Sequence, residues 1–222
     1  MKGIITITKK AMDTEALFSG MDVYLIDHIL RGRYSPQGGQ RVLDAGAGGG
    51  RNLPWFVARG FEVYTADKDP DALSHLRVRF PELPAERYFS GDLGQLSFPD
   101  NWFDHILCSA VLHFAQDTSH FSRMYARLAG VLKPGGTLFI RTAVTTGMKE
   151  YGIPADPGVY DLPDGTVRFL ANRHLLEALN AEIGMEWIDP FKTVLVDGMR
   201  SMAVIMLQKA GLSAAAGVNG SA

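Results

Sequence analysis

"VLDAGAGGGRN", Val42 to Asn52, is the stretch on which the fold turns. An apolar run closes on Asp44-Ala45 and passes directly into a turn bearing Gly46, Gly48, Gly49 and Gly50. In open parallel sheets, ligands bind at the carboxyl ends of strands, and a glycine turn there serves close backbone approach. Gly46 permits a tight or left-handed turn, and Gly48 lets a ligand approach without meeting a Cβ. The dinucleotide fingerprint G-x-G-x-x-G fails at its third position, where Arg51 stands. Asp44 would repel phosphates, yet it can accept a hydrogen bond from an ammonium group. The stretch therefore points to a ligand with positive charge and no pyrophosphate.

Outward from this turn, the chain alternates between β-rich runs and amphipathic stretches, the pattern of parallel strands joined by crossover helices. The spacing predicts strands at Arg41 to Ala45, Phe61 to Ala66, Glu86 to Ser90, Phe103 to Ser109 and Gly136 to Ala143. Asp69-Pro70 reads as N-cap and first turn of a helix reaching Phe80. Asp117 opens another through Leu132, with "KPGG" at Lys133 to Gly136 as its stop signal. Asn172 to Ile183 reads as a helix, followed by two β-rich runs joined by "DGMR" that predict a closing antiparallel hairpin. The expected architecture is a mostly parallel seven-stranded sheet with helices on both faces. Two further carboxylates then fall at strand ends. Asp67 in "VYTADKD" is placed to hold ribose hydroxyls, and Asp92 in "FSGDL" to accept from an exocyclic amine.

Composition narrows the class. At 222 residues and 46% hydrophobic content, the chain is long enough for one large domain. That domain is expected over residues 1–210, with a helical segment at 1–40, a substrate-side loop or lid at 142–170 and a flexible tail at 211–222. The net charge of -2 and the absence of a long basic run argue against nucleic acid as partner. No apolar run approaches the ~20 residues of a membrane span. A single cysteine, Cys108, excludes an internal disulfide, and a reducing cytoplasm is the expected compartment.

At the level of motifs, the chain resembles the class I S-adenosylmethionine-dependent methyltransferases over roughly Arg41 to Arg141. "VLDAGAGGGRN" matches the glycine motif, "VYTADKD" the ribose motif, "GDLGQLSFPDNWFDHILCSAVLHF" the adenine motif with the fourth strand, and "VLKPGGTLFI" the approach to the fifth. The "GGGRN" continuation and closing hairpin look most like the small tellurite-resistance-type and related methyltransferases. The resemblance implies S-adenosylmethionine as cofactor, with Asp44, Gly46 and Gly48 at its methionine and ribose end, Asp67 on the ribose hydroxyls, and Asp92 with the Leu93 backbone at adenine. Ala47, Lys68 and Ser109 join the expected cofactor side, and Arg51 or Asn52 would meet the cofactor carboxylate, as Arg31 and Arg33 could from the N-terminal segment.

Methyl transfer from a sulfonium is an in-line displacement that needs alignment and shielding more than acid or base. His113, just past the fourth strand in "SAVLHF", is the expected titratable residue, able to accept an acceptor's proton. Cys108 is read as a small buried hydrophobe, and His105 as lying farther from the site. Met148, Tyr151, Tyr160 and Arg168 are candidates for the acceptor pocket, while Trp55 and Phe56 are expected to pack against the sheet. No carboxylate cluster at metal spacing accompanies the site, so a small-molecule acceptor without metal is the expected partner. Two other readings keep the same glycines: an NAD-binding oxidoreductase, and a protein that binds S-adenosylmethionine without catalysis.

Overall fold

The computed structural model describes residues 13–148 and 158–211. Two short helices, α1 (Thr14–Phe18) and α2 (Val23–Leu30), precede β1 (Arg41–Ala45), α3 (Pro54–Ala58), β2 (Glu62–Asp67) and α4 (Pro70–Arg79). Next come β3 (Tyr88–Ser90), β4 (Phe103–Ser109), α5 (Thr118–Val131) and β5 (Leu132–Ala143). A small hairpin, β6 (Val159–Asp161) with β7 (Val167–Phe169), leads to α6 (Arg173–Ile183), β8 (Met185–Trp187), β9 (Lys192–Val196) and β10 (Arg200–Lys209).

The main sheet has eight strands, in the order β3-β2-β1-β4-β5-β10-β8 with β9 also paired to β10. The five strands from β3 to β5 run parallel, while β10 is antiparallel to β5, β8 and β9. This is a Rossmann-like, mostly parallel architecture with helices on both faces, one strand larger than expected. Its strand order reverses direction at the β1–β4 pair, and the carboxyl ends of those two strands open the crevice in which such sheets bind ligands.

Period-two alternation divides the core into two layers. On one face, Leu43, Ile106, Cys108, Leu138 and Ile140 pack against α5 and α6; on the other, Val42, Leu107 and Phe139 pack against α2, α3 and α4. Trp55 and Phe56 are buried in the second layer, as expected. Both faces are covered, which is why these strands read as continuous apolar runs rather than alternating ones. Helix caps agree with their sequence signals: Asp69, Asp117 and Asn172 each accept a hydrogen bond from a backbone N–H in the first turn.

Two boundaries differ from expectation. Residues 85–87 form a single 3-10 turn, so β3 begins at Tyr88 rather than Glu86. The "KPGG" stretch does not end α5; Leu132 is already extended, with φ -80° and ψ 135°, and β5 starts there, four residues early. The β4–β5 register shifts between Phe103 and His105, and this irregularity lets a strand accommodate Pro134, which has no N–H to donate. The expected lid at 142–170 contains an isolated bridge, Val144 to Ala171, and the β6–β7 hairpin. Its central residues 149–157, including Tyr151, and the tail beyond 211 lie outside the described residues.

Gly50 closes the glycine turn with φ +69°, and a Cβ there would collide with Leu76 and Phe80 of the α4 end. A left-handed non-glycine residue costs about 1–3 kcal/mol before any clash. Gly50→Ala is therefore expected to lower the urea midpoint by more than Gly60→Ala, whose glycine has φ +81° but open space around the added carbon.

Candidate functional site

A cleft of about 280 Å³ lies at the carboxyl ends of β1, β2, β3 and β4, with Gly46, Asp67, Asp92 and Ala110 on its walls. The glycine loop is held to β2 by its backbone: the N–H groups of Gly46 and Ala47 both donate to the Ala66 carbonyl, at 2.7 and 3.0 Å. Gly46 has φ +79°, and any side chain there would strike Val111 across the cleft. Its glycine is required by close packing as well as by the turn. Gly48 donates its N–H to Asp67 Oδ2 at 2.8 Å, and an added Cβ would face open space. That N–H would serve a phosphate in a dinucleotide site; here it already serves a carboxylate, which disfavours the pyrophosphate of an NAD-type ligand.

Asp67 ends β2 and lines the cleft, its Oδ1 accepting the Asp69 N–H at 3.0 Å. Each oxygen retains acceptor capacity for hydroxyl donors. Asp92 stands at the N-cap of a single 3-10 turn, where Oδ1 accepts from Gly94 N–H and Oδ2 lies 2.8 Å from His120 Nε2. Because His120 Nδ1 faces the Gln116 N–H at 3.2 Å as acceptor, the network assigns the proton to Nε2, which donates to Asp92. Leu93 and Lys68 complete this end, and Lys68 Nζ sits 5.8 Å from the Phe114 ring centre.

Asp44 lies beneath the loop, 1% exposed, with no hydrogen-bond partner on Oδ2. Burial pushes its carboxyl up to about 7, against the pull of Arg51, and Asp67 adds to the rise. A spare acceptor oxygen that resists ionisation at this point fits a cationic ligand group, which would restore its charge.

Other expected cofactor residues are committed elsewhere. Asn52 is buried and accepts the Asp22 N–H on Oδ1 at 3.1 Å, so it holds the N-terminal segment rather than lining the cleft. Ala47 packs into the core layer beside α3. Ser109 donates its hydroxyl to Asp22 Oδ2 at 2.8 Å and receives Arg51 Nη2 at 3.1 Å. Arg31 and Arg33 do not approach the cleft; both pair with Asp189, at 2.9 and 2.8 Å.

The organising residue here is Asp22, which composition and motifs leave unremarked. Its side chain is fully buried, and Oδ2 meets Ser109, Arg141 Nη1 at 3.1 Å and Arg51 Nη2 at 3.7 Å. Asp22 also caps α2 through the Tyr24 N–H. The local cap signal was present in the sequence; its partners lie 29 to 119 positions away and become visible only in the fold. His120 was missed for the same reason.

His113, in a 3-10 turn after β4, is 7% exposed and lines a second, adjoining cleft. Burial, with Arg168, Arg200 and Arg141 nearby, brings its imidazole down to about 4. Cys108 is fully buried and its thiol is pushed well above the ordinary range by burial and by Asp44. It has the character of a core hydrophobe. His105 sits at the opposite end of β4, beside Thr137 Oγ1 at 2.7 Å. Met148 is buried in a small cluster with Leu162 and Leu170, against which Tyr160 packs; Arg168 alone of the described loop candidates lines the second cleft. Among the described residues, no group of three or more His, Cys, Asp or Glu side chains is arranged to hold a metal. No described helix is long and apolar enough to cross a membrane.

The same part of the chain is recognised by comparison with known proteins. Residues 43–140 match the methyltransferase domain family. Over 138 residues the chain is 31% identical to an uncharacterized methyltransferase of Mycobacterium tuberculosis, a match covering 62% of this chain and 64% of that protein. The chain thus spans somewhat under two thirds of that relative's length. An S-adenosylmethionine-dependent methyltransferase from Methanosarcina mazei has a similar structure, with TM-score 0.67 and 21% identity over 82% of this chain and 97% of that one. A Burkholderia thailandensis 1,6-didemethyltoxoflavin-N1-methyltransferase, solved with bound 1,6-didemethyltoxoflavin and S-adenosylhomocysteine, gives TM-score 0.59 and 21% identity, covering 88% of this chain and 84% of that one.

The state of Asp44 has a measurable consequence. Its folded-state pKa, about 7, lies above the unfolded 3.8, so its contribution to stability falls as pH rises from about 4 to 7 and is level above. Asp44→Asn removes this dependence. In urea unfolding, the variant is expected to gain on the wild type across that range, by as much as about 4 kcal/mol at pH 8. An unchanged difference between pH 4 and pH 8 would refute the assignment.

Proposed function

We propose that the chain is an S-adenosylmethionine-dependent methyltransferase acting on a small-molecule acceptor. The observation that carries this reading is a pair of carboxylates on one crevice, Asp67 and Asp92, with a third, Asp44, buried beneath the glycine loop. Asp44 lies under the loop with a spare oxygen, Asp67 stands at the cleft wall, and Asp92 stands at the far end with His120 behind it. S-adenosylmethionine supplies an electrophilic methyl group on a sulfonium. Asp44 would take the ammonium end, Asp67 the ribose hydroxyls, and Asp92 with the Leu93 backbone the adenine edge. His120 positions Asp92 by donating to one of its oxygens, which leaves lone pairs on both for an amine donor. Arg51, on the glycine loop and 46% exposed, is held by Ser109 and Asp22 and keeps N–H groups to offer to a carboxylate.

The protein's own contribution to the reaction is alignment and shielding. Ala110, with φ +65°, and Phe114 line both clefts and form the wall between them, with Val111 on the first side. His113 stands on the second side of that wall, neutral at pH 7. It can accept a hydrogen bond from an acceptor's X–H group and orient it, but with a pKa of about 4 it holds a transferred proton weakly.

Calorimetric titration with S-adenosylhomocysteine tests the cofactor assignment. Asp67→Ala is expected to weaken binding at least tenfold, and the affinity of the wild type should tighten as pH rises through about 7, where Asp44 ionises. Loss of that pH dependence in Asp44→Asn completes the test; a wild type that folds yet does not bind refutes it. For turnover with labelled cofactor, kcat/KM should show no inflection near 6.5 from His113, whose titration lies near 4.

A further inference from the structure

The second cleft, about 300 Å³, shares Ala110 and Phe114 with the first and has His113, Arg141, Arg168 and Arg200 around it. Three guanidinium groups thus face a space the size of a small molecule, with Asp164 as the one carboxylate among the described residues on its lining.

The balance of charge is uneven. Arg141 is half engaged: Nη1 reaches Asp22, while its buried Nε has no partner. Arg200 lies 3.9 Å from Asp164 Oδ2, a loose approach, while Asp164 Oδ1 accepts from the Thr166 N–H and hydroxyl at 3.0 and 2.6 Å. Arg168 has no carboxylate within 4.0 Å among the described residues; it donates to the Val167 carbonyl and lies over the Phe114 ring, 4.7 Å from its centre. His113, more than nine-tenths buried on the same lining, has an Nδ1 without a hydrogen-bond partner. Clustered guanidinium groups repel one another, and the planar fork of each is shaped to receive two oxygens of one anion. A partly buried surplus of positive charge beside an unpartnered ring nitrogen is a built receptor for an oxyanion.

We propose that this cleft is the acceptor subsite and that the acceptor is a small molecule carrying an oxyanion, a carboxylate or a phosphate, held by Arg168 and Arg200. This rests on the methyltransferase reading above. The oxyanion is the anchor rather than the methylated atom, because guanidinium groups withdraw electron density from the oxygens they bind and make them poorer nucleophiles. A second atom of the acceptor, lying toward Ala110 and Phe114, receives the methyl group. Its lone pair forms the new bond to carbon, the carbon–sulfur bond breaks with its electron pair going to sulfur, and any proton on the accepting atom leaves to solvent.

The test uses the full chain labelled in its histidine rings and follows His113 by nuclear magnetic resonance, its signal assigned by loss in His113→Gln. Sodium acetate, inorganic phosphate and neutral acetamide are titrated separately at constant ionic strength. Saturable movement of the His113 signal by acetate or phosphate, with none by acetamide, is expected. The tighter of the two anions identifies the acceptor group as carboxylate or phosphate. Arg168→Ala/Arg200→Ala should raise the half-saturation concentration at least tenfold while S-adenosylhomocysteine binds within twofold of wild type, which also shows that the variant folds; Arg168→Gln serves if it does not. No saturable movement, equal movement by acetamide, or an unchanged response in the variant overturns the proposal. Failure of S-adenosylhomocysteine to bind, with the anion response intact, would instead overturn the cofactor reading.

Discussion

The arrangement depends on one buried carboxylate. Asp22 is removed from water on every side, and an isolated carboxylate in that position would be costly enough to force protonation or local unfolding. It is held instead by Ser109, Arg141 and Arg51, one each from β4, the end of β5 and the glycine loop. Its backbone N–H goes to Asn52, the residue that closes the glycine motif. A single acidic residue at the start of α2 therefore ties the N-terminal segment to two strand ends and the glycine loop at once. Arg141, one of these partners, also lines the second cleft, and Ser109 directly precedes Ala110, which lines both clefts.

That junction also separates two electrostatic environments. Toward β2 and β3 the crevice is acidic, with Asp67 and Asp92 on its lining and Asp44 buried at the end of β1 below the glycine loop. Toward β10 and the β6–β7 hairpin it is basic, with Arg141, Arg168 and Arg200. Ala110, His113 and Phe114 stand at the boundary, and the same arginines that charge the second cleft depress the basicity of His113. A histidine so placed is suited to directing a hydrogen bond at neutral pH. The opposite signs keep a cationic ligand and an anionic one in adjoining but different places, which is the arrangement a transfer between them requires.

The glycine loop shows how backbone chemistry excludes one ligand as it favours another. Phosphate-binding turns depend on free N–H groups. In this turn the N–H groups of Gly46 and Ala47 are spent on Ala66, and that of Gly48 on Asp67. The orphan at the site is an acceptor, Asp44 Oδ2, and an orphan acceptor calls for a donor.

Local signals in the sequence determined the parallel core, its helix caps and the three acidic strand ends, because each depends on side-chain period, capping residues or neighbours within a few positions. Arg41–Ala45 and Phe103–Ser109 were legible to the residue for that reason. Boundaries at Tyr88 and Leu132 were not, since a 3-10 turn and a shifted strand register are settled by pairing with other strands. Tertiary structure alone decided that Asn52, Arg31 and Arg33 serve Asp22 and Asp189, that His120 stands behind Asp92, and that Arg141, Arg168 and Arg200 converge. Those contacts join residues that are far apart along the chain. No local pattern encodes such a meeting, because it is burial of the shared core that brings the charges together and makes their pairing necessary.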